Sequence, residues 1–270
     1  MMSNLWKRGI RSTSATAILF PLLMIPTASF AQWTRVPQSA IPRTHDGKPD
    51  LLAPAPRTPD GKPDLSGVWS PTDNRYGRDL AAALTSGEVP YQPWAKALFD
   101  ERKDGAHSSE DPDANCLPQG VPKINAIAYP QKFIQSPGSI VIVYEAFTLW
   151  RQIFLDGREV VPDANPTWLG YSTGKWDGDT LVVESRGFNG RAWLDQLGRP
   201  STDALHVTER FLRKNLGRME LLITIDDPKA YTRPWTVAEE LHLLPGTEPI
   251  EFICNENNLD VEHLPGKRSK

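Results

Sequence analysis

From Pro122 onward the chain is cut into short apolar runs by turn residues, and the cuts come too often for any architecture but closely connected β-strands. Phe133–Gln135, Ile140–Glu145 and Thr148–Leu155 are separated by Pro137-Gly138 and followed by Asp156-Gly157. Tyr171–Trp176 and Thr180–Ser185 flank Asp177-Gly178-Asp179, whose Asp-Gly content suits a hairpin turn. Leu205–Arg213, Met219–Ile225, Thr236–Leu244 and Ile250–Cys254 continue the series, separated by Gly217, Asp226-Asp227-Pro228 and Pro245-Gly246. With an opening strand over Leu65–Ser70, the pattern predicts about nine or ten strands with hardly any helix among them. Strands joined this closely are antiparallel, because a parallel crossover takes about a dozen residues or more. A doubly wound α/β fold is thereby disfavoured. An antiparallel set of this size protects its edges by closing into a barrel or by stacking as a sandwich, and the barrel is the first expectation.

The N-terminal third reads differently. Lys7, Arg8 and Arg11 precede an almost wholly apolar stretch from Ala15 to Ile25, too short for the ~20 residues that span a bilayer. Small residues Ser29 and Ala31 then sit where a leader peptidase cuts, so residues 1–31 are expected to be a signal peptide and Gln32 the mature start. Residues 32–63 are Pro-rich and polar, an extended arm preceding a single β-rich domain over 64–270. Asp46-Gly47-Lys48-Pro49-Asp50-Leu51 recurs in the arm as Asp60-Gly61-Lys62-Pro63-Asp64-Leu65. Each copy pairs an Asp-Gly turn with a helix-forbidding Pro; the second is expected to launch the first strand and the first to be a spare. A helix is predicted from Pro93, with Trp94, Leu98 and Phe99 at helical spacing, and a shorter one around Leu80–Leu84. Residues 103–115 are charged and turn-rich and are expected to face solvent.

Cleavage would remove three positive charges and no negative ones, moving the formal net charge from −3 to −6. Beyond the Lys267, Arg268, Lys270 tail no basic block survives, so neither nucleic acid nor an anionic membrane is expected as a partner, and no membrane span is expected after leader removal. About 240 residues suffice to bury a sizeable core in one domain. Cys116 and Cys254 are the two cysteines; in an oxidising compartment a disulfide between them is the default. Periplasm and extracellular space are not distinguished, and oligomeric state is not legible.

Thr58-Pro59-Asp60-Gly61-Lys62-Pro63-Asp64-Leu65-Ser66-Gly67-Val68-Trp69, Cys116-Leu117-Pro118 and Gly170-Tyr171-Ser172-Thr173-Gly174-Lys175-Trp176-Asp177-Gly178-Asp179-Thr180 resemble a large group of secreted bacterial proteins of unknown function. Leu205-His206-Val207-Thr208-Glu209-Arg210-Phe211 and Cys254-Asn255-Glu256-Asn257 fit the same group, and the similarity covers nearly all of the mature chain. The resemblance implies export and a β-rich body and carries no activity to transfer. Gly67-Val68-Trp69 also resembles the Gly-x-Trp element of lipocalins and other calycins, which implies a calycin-like barrel with a ligand-sized interior in preference to a sandwich.

Gly170-Tyr171-Ser172-Thr173-Gly174 has the form G-x-S-x-G, but the strand-before, helix-after context of a nucleophile elbow is missing. Ser172 is left either to an unrelated triad with His206 and Asp195 or Asp203, or to a bend in a strand. His206 lies on a strand where both faces mix polar and apolar residues. An imidazole facing a lumen can remove a proton near neutral pH, with Glu184 or Asp195 orienting it or supplying the acid; the alternative is a hydrogen-bonded structural histidine. Trp168, Tyr171, Trp176 and Trp193, interleaved with charged groups and joined by Arg151, form the candidate ligand set. Aromatic faces with polar tips suit sugars or aromatic compounds, although core packing explains the same residues. His45, His107, His206, His242 and His263 are scattered and no EF-hand or nucleotide-loop spacing occurs, so no metal and no cofactor are expected. The leading expectation is an exported β-barrel that binds a small, partly apolar ligand. The alternatives are a cofactor-independent lyase or hydrolase using His206 with Glu184 or Asp195, and a structural envelope protein.

Overall fold

A computed structural model describes residues 41–85, 88–160, 164–256, 258–259 and 263–266. The leader assigned to residues 1–31, the first part of the arm and the basic tail Lys267, Arg268, Lys270 lie outside the described residues. Nine strands close into a barrel: β1 Gly67–Pro71, β2 Gln131–Ser136, β3 Ser139–Tyr144, β4 Trp150–Phe154, β5 Tyr171–Asp177, β6 Thr180–Arg186, β7 His206–Arg213, β8 Arg218–Asp226 and β9 Trp235–Leu243. They neighbour one another in chain order, and β1 closes the ring on β9 through Trp69↔Leu243, Ser70↔His242 and Pro71↔Leu241. The expected barrel is thus present.

The local reasons are those the sequence offered. Pro137-Gly138 joins β2 to β3 with Gly138 at φ 81°, the conformation a type II turn needs after its proline. Between β5 and β6, Gly178 at φ 60° stands first of the two turn residues, where a type II′ hairpin needs it. The strands alternate by face: on β7, Val207, Glu209, Phe211 and Arg213 are buried while the residues between them are partly exposed.

Three elements depart from expectation. β4 and β5 pair in parallel, through Ile153↔Ser172 and Phe154↔Thr173, and the long connection 155–170 gives the chain room to return to the same end. The run Ile250–Cys254 is not a tenth strand. β1 and β9 already close the ring, so no edge remains for it, and side chains tie it down instead: Thr148 Oγ1 bonds Phe252 O at 2.9 Å and Glu145 Oε2 accepts from Ile250 N–H at 3.1 Å. The short helix falls at α1 Arg75–Arg78, ahead of Leu80–Leu84, where Leu80 N–H is spent on Asp195 Oδ2 at 2.9 Å. The helix expected from Pro93 is present as α2 Pro93–Arg102, burying Ala95 and Phe99.

Residues 103–115 do not simply face solvent. Asp111 and Asp113 turn inward onto Lys123, which opens the fully buried α3 Lys123–Ala126. A buried ammonium has to be paired, and these two carboxylates pair it at 2.8 Å each. Although burial alone would lower it, the Lys123 ammonium is held above its ordinary range by Asp113 and Asp111. From α3, Asn125 reaches Glu209 on the inner face of β7 and accepts from Tyr144 Oη on β3 at 2.7 Å.

Side chains bridge the centre of the barrel. Phe133 and Phe211, from opposite walls, meet edge to face at 5.6 Å. Trp69 is fully buried, donates its Nε1–H to Leu65 O at 2.9 Å and lies under the Arg213 guanidinium at 4.8 Å. Arg151 crosses to Glu209 as a buried ion pair and donates Nε–H to Ser172 at 2.8 Å and Nη2–H to Ser185 at 2.7 Å. The interior expected to be ligand-sized is occupied by this packing.

Candidate functional site

The residues singled out from the sequence are dispersed. His206 and Glu184 do come together, with Nε2 and Oε2 2.6 Å apart, but on the outer face of β6 and β7 instead of in a lumen. Arg186 stands 3.3 Å from the other ring nitrogen, and because a guanidinium only donates, Nδ1 accepts and Nε2–H is given to Glu184. Both ring nitrogens are therefore occupied. Asp195 is elsewhere, fully buried, ion-paired with Arg199 and bonded to Leu80 N–H; burial raises its carboxyl although Arg199 opposes this. Ser172 is enclosed by Arg151 and Ser185 at 2.8 and 3.0 Å, so no triad with His206 assembles.

The candidate ligand set does not converge either. Arg151 belongs to the interior network, Trp193 is buried under Arg102 at 4.4 Å, and Trp168 lies beneath Arg191 at 5.0 Å. Tyr171 Oη is spent on Asn165 O at 2.8 Å, and Trp176 packs against the core. Alternation predicted faces, but which face turned inward was undecided where both mixed polar and apolar residues.

A different group of residues forms a site. The α3 approach, the β3–β4 connection and the segment after β9 enclose a cleft of about 370 Å³. Tyr129, Phe147 and Phe252 provide its aromatic side: Tyr129 stacks on Phe252 at 5.8 Å and Phe147 meets it edge-on at 5.6 Å. The polar side comes from Asp113 and Gln119. Gln119 Nε2–H donates to Asp113 Oδ2 at 3.0 Å, and Oδ2 also receives Lys123 at 2.8 Å. This orientation leaves Asp113 Oδ1 and Gln119 Oε1 buried without a hydrogen-bond partner among the described residues. An unsatisfied buried acceptor costs roughly 1–3 kcal/mol. Burial, partly offset by Lys123 and reinforced by Asp111, pushes the Asp113 carboxyl up to about 6.

Backbone strain gathers at the same place. Among the described residues, the non-glycine positions at positive φ are Cys116 (56°), Phe147 (59°) and Thr148 (51°). Phe147 lines the cleft, Thr148 holds Phe252, and Cys116 is bridged to Cys254, which lines it too, with Cα atoms 5.5 Å apart. Such conformations cost of order 1–3 kcal/mol each and persist where surrounding structure fixes them, often at ligand sites. Sequence reasoning missed this group because it lies on connections and because Phe252 comes over 100 residues after Phe147; the one available signal was the pairing of Cys116 with Cys254, whose sequence separation is 138. Among the described residues no helix is long and apolar enough to cross a membrane, and no group of three His, Cys, Asp or Glu is placed to hold a metal ion.

Fold and site together define a closed nine-stranded barrel with a packed interior, a buried helical plug and a lateral aromatic cleft. No family model, no curated protein and no solved structure matches the chain.

Proposed function

We propose that the protein is an exported binding protein that takes a small, partly apolar ligand bearing hydroxyl or amine donors, a sugar or a hydroxylated aromatic compound, in the cleft of Tyr129, Phe147 and Phe252. The single observation that carries this is the pair of unpartnered buried acceptors, Asp113 Oδ1 and Gln119 Oε1, beside that aromatic side. Ligand pockets combine apolar walls with a few placed polar groups in this way, and the cleft volume falls in their usual range of ~300–1,000 Å³. Export is supported by the basic-apolar leader and by the Cys116–Cys254 bridge, which oxidising compartments maintain. The test is saturation-transfer NMR of the mature protein against phenols and methyl glycosides. Binding by at least one class should be lost in Phe252→Ala and weakened in Gln119→Leu. Silence from every probe at millimolar concentration, or signals indifferent to both substitutions, would overturn the reading.

A catalytic alternative has the His206–Glu184 contact in its favour, since a carboxylate orienting an imidazole is a common acid–base device. Against it, Arg186 occupies the lone pair that a general base needs. A hydrolysis or elimination activity that survives Gln119→Leu and disappears in His206→Gln would favour this alternative.

A further inference from the structure

A second cavity, of about 370 Å³, opens between α2 and the chain that leads to it from α1, and it shares no lining residue with the aromatic cleft. Ala81, Ala82, Leu84 and Val89 give it an apolar wall, which Tyr91 and Phe99, stacked at 5.3 Å, continue.

The charged groups of this cavity fall into two sets that are each out of balance. Lys96, Asp100 and Lys103 lie one helical turn apart on the face of α2 that carries Phe99, and both ammonium groups are spent on the single Asp100 carboxylate, Lys103 at 2.6 Å. Two positive charges share one negative. At Arg199 the ratio is reversed. Its guanidinium lies over the Phe99 ring at 4.6 Å and is shared by Asp195 and Asp79, the latter at 2.6 Å. Asp195 is enclosed with it, whereas the Asp79 side chain is 33% exposed. Asp79 Oδ1 is taken by Arg199 and by Ala81 N–H at 3.0 Å, and its Oδ2 has no hydrogen-bond partner among the described residues. The lysine side chains are about half exposed, so both sets can be reached from solvent. The cavity therefore has a cationic rim and an anionic rim, with apolar surface beside them.

We propose that this cavity binds a small apolar amino acid, its ammonium group received by Asp79 Oδ2, its carboxylate by Lys96 and Lys103, and its side chain by Ala82, Leu84 and Val89. Each lysine ammonium carries three donors, so the bond to Asp100 leaves others for the ligand. A zwitterion is selected over a singly charged compound because each of its ends meets groups of opposite sign that are only partly neutralised, and a ligand lacking one end forgoes that charge-assisted bond.

The test follows amide chemical shifts of the folded protein at pH 7 during titration with L-leucine, and with 3-methylbutylammonium and 4-methylpentanoate, which keep its side chain and one charge each. Leucine should give saturable shifts centred on α2 and residues 79–84, and each singly charged compound should bind about tenfold more weakly or worse. Lys96→Gln with Lys103→Gln should weaken leucine about tenfold without weakening 3-methylbutylammonium, a split that loss of folding does not produce. Asp79→Asn should weaken leucine and 3-methylbutylammonium but not 4-methylpentanoate; if that variant fails to fold, the lysine pair decides. No saturable shifts with leucine at millimolar concentration, equal binding of either singly charged compound, or a leucine affinity indifferent to the lysine substitutions would overturn the proposal.

Discussion

Glu239, 5% exposed on the inner face of β9, has neither carboxylate oxygen hydrogen-bonded among the described residues. Its carboxyl stands at about 8 in the folded chain against an ordinary 4.5, because burial disfavours the charged form and Asp73 adds to the effect. The folded state accordingly binds a proton that the unfolded chain has lost between these two values. Linkage makes the sign definite: where the native state holds more protons, stability falls as pH rises. This stabilisation is full below pH 4.5 and is lost as pH climbs through 8. One pH unit corresponds to about 1.4 kcal/mol, so the loss reaches at most roughly 3 kcal/mol at pH 7 and about 5 kcal/mol above pH 8. Glu239→Gln keeps the shape and removes the titration. Urea unfolding of both proteins at pH 5, 7 and 9 isolates the effect, since every other titrating group, Asp113 among them, contributes equally to both. The variant should be close to wild type at pH 5 and gain on it steadily, by several kcal/mol at pH 9. A stability difference that stays flat with pH would refute the reasoning and mean that Glu239 is ionised throughout.

Removing one partner of the Arg151–Glu209 pair, with side-chain exposures of 2% and 0%, leaves a buried charge alone; Arg151→Met should cost about 3–5 kcal/mol in urea unfolding, and Arg151→Met with Glu209→Leu should cost less than that single change. Replacing Cys116 and Cys254 together by serine opens a closed loop with a sequence separation of 138 and should lower stability by about 4–5 kcal/mol, read from the same assay. Arg213→Met strips Trp69 of its cation and leaves Asp64 O and Leu216 O without their donor; about 2 kcal/mol of destabilisation is expected, with a shift in tryptophan emission.

The barrel was legible because its determinants are local. Turn pairs such as Pro137-Gly138 and Gly178-Asp179 sit between runs of strand-forming residues, and each fixes a neighbour relation by itself. The parallel junction of β4 and β5 was not legible, since nothing within residues 155–170 states in which direction the chain will re-enter the sheet. The orientation of β7 was half legible: alternation grouped Glu209 with Val207 and Phe211, but its partners Arg151 on β4 and Asn125 on α3 explain why a face carrying a glutamate turns inward. The same limitation applied to Asp111 and Asp113, which look like solvent-facing loop residues until Lys123 is seen buried between them. Of the two carboxylates considered for His206, Glu184 lies against it and Asp195 does not, and that contact is on the outer face of the wall instead of in a lumen.

The repeat in the arm separates what local sequence decides from what tertiary context decides. Both copies fold alike. Gly47 N–H and Gly61 N–H bond Thr44 O and Thr58 O at 2.9 Å, and Asp50 N–H and Asp64 N–H return to Pro42 O and Pro56 O at 2.8 and 2.9 Å. Gly47 and Gly61 both stand at φ 80°, so the turn is written in these few residues and needs no surroundings to specify it. Their attachments differ. The second copy grips the β5–β6 turn, with Arg57 donating to Asp179 at 2.6 and 2.9 Å and Lys62 to Gly178 O at 3.3 Å. At the end of the first copy and just beyond it, Leu51 O and Ala53 O accept from Gly217 N–H and Leu216 N–H at 2.9 and 2.8 Å, at the turn between β7 and β8. The first copy is thus no spare: the two turns fasten the arm to two successive hairpins of the barrel. If that is their role, replacing both glycines by valine, which φ near 80° resists, should release residues 41–63 to protease while Trp69 stays buried, and cleavage confined to one copy would show that the two attachments act independently.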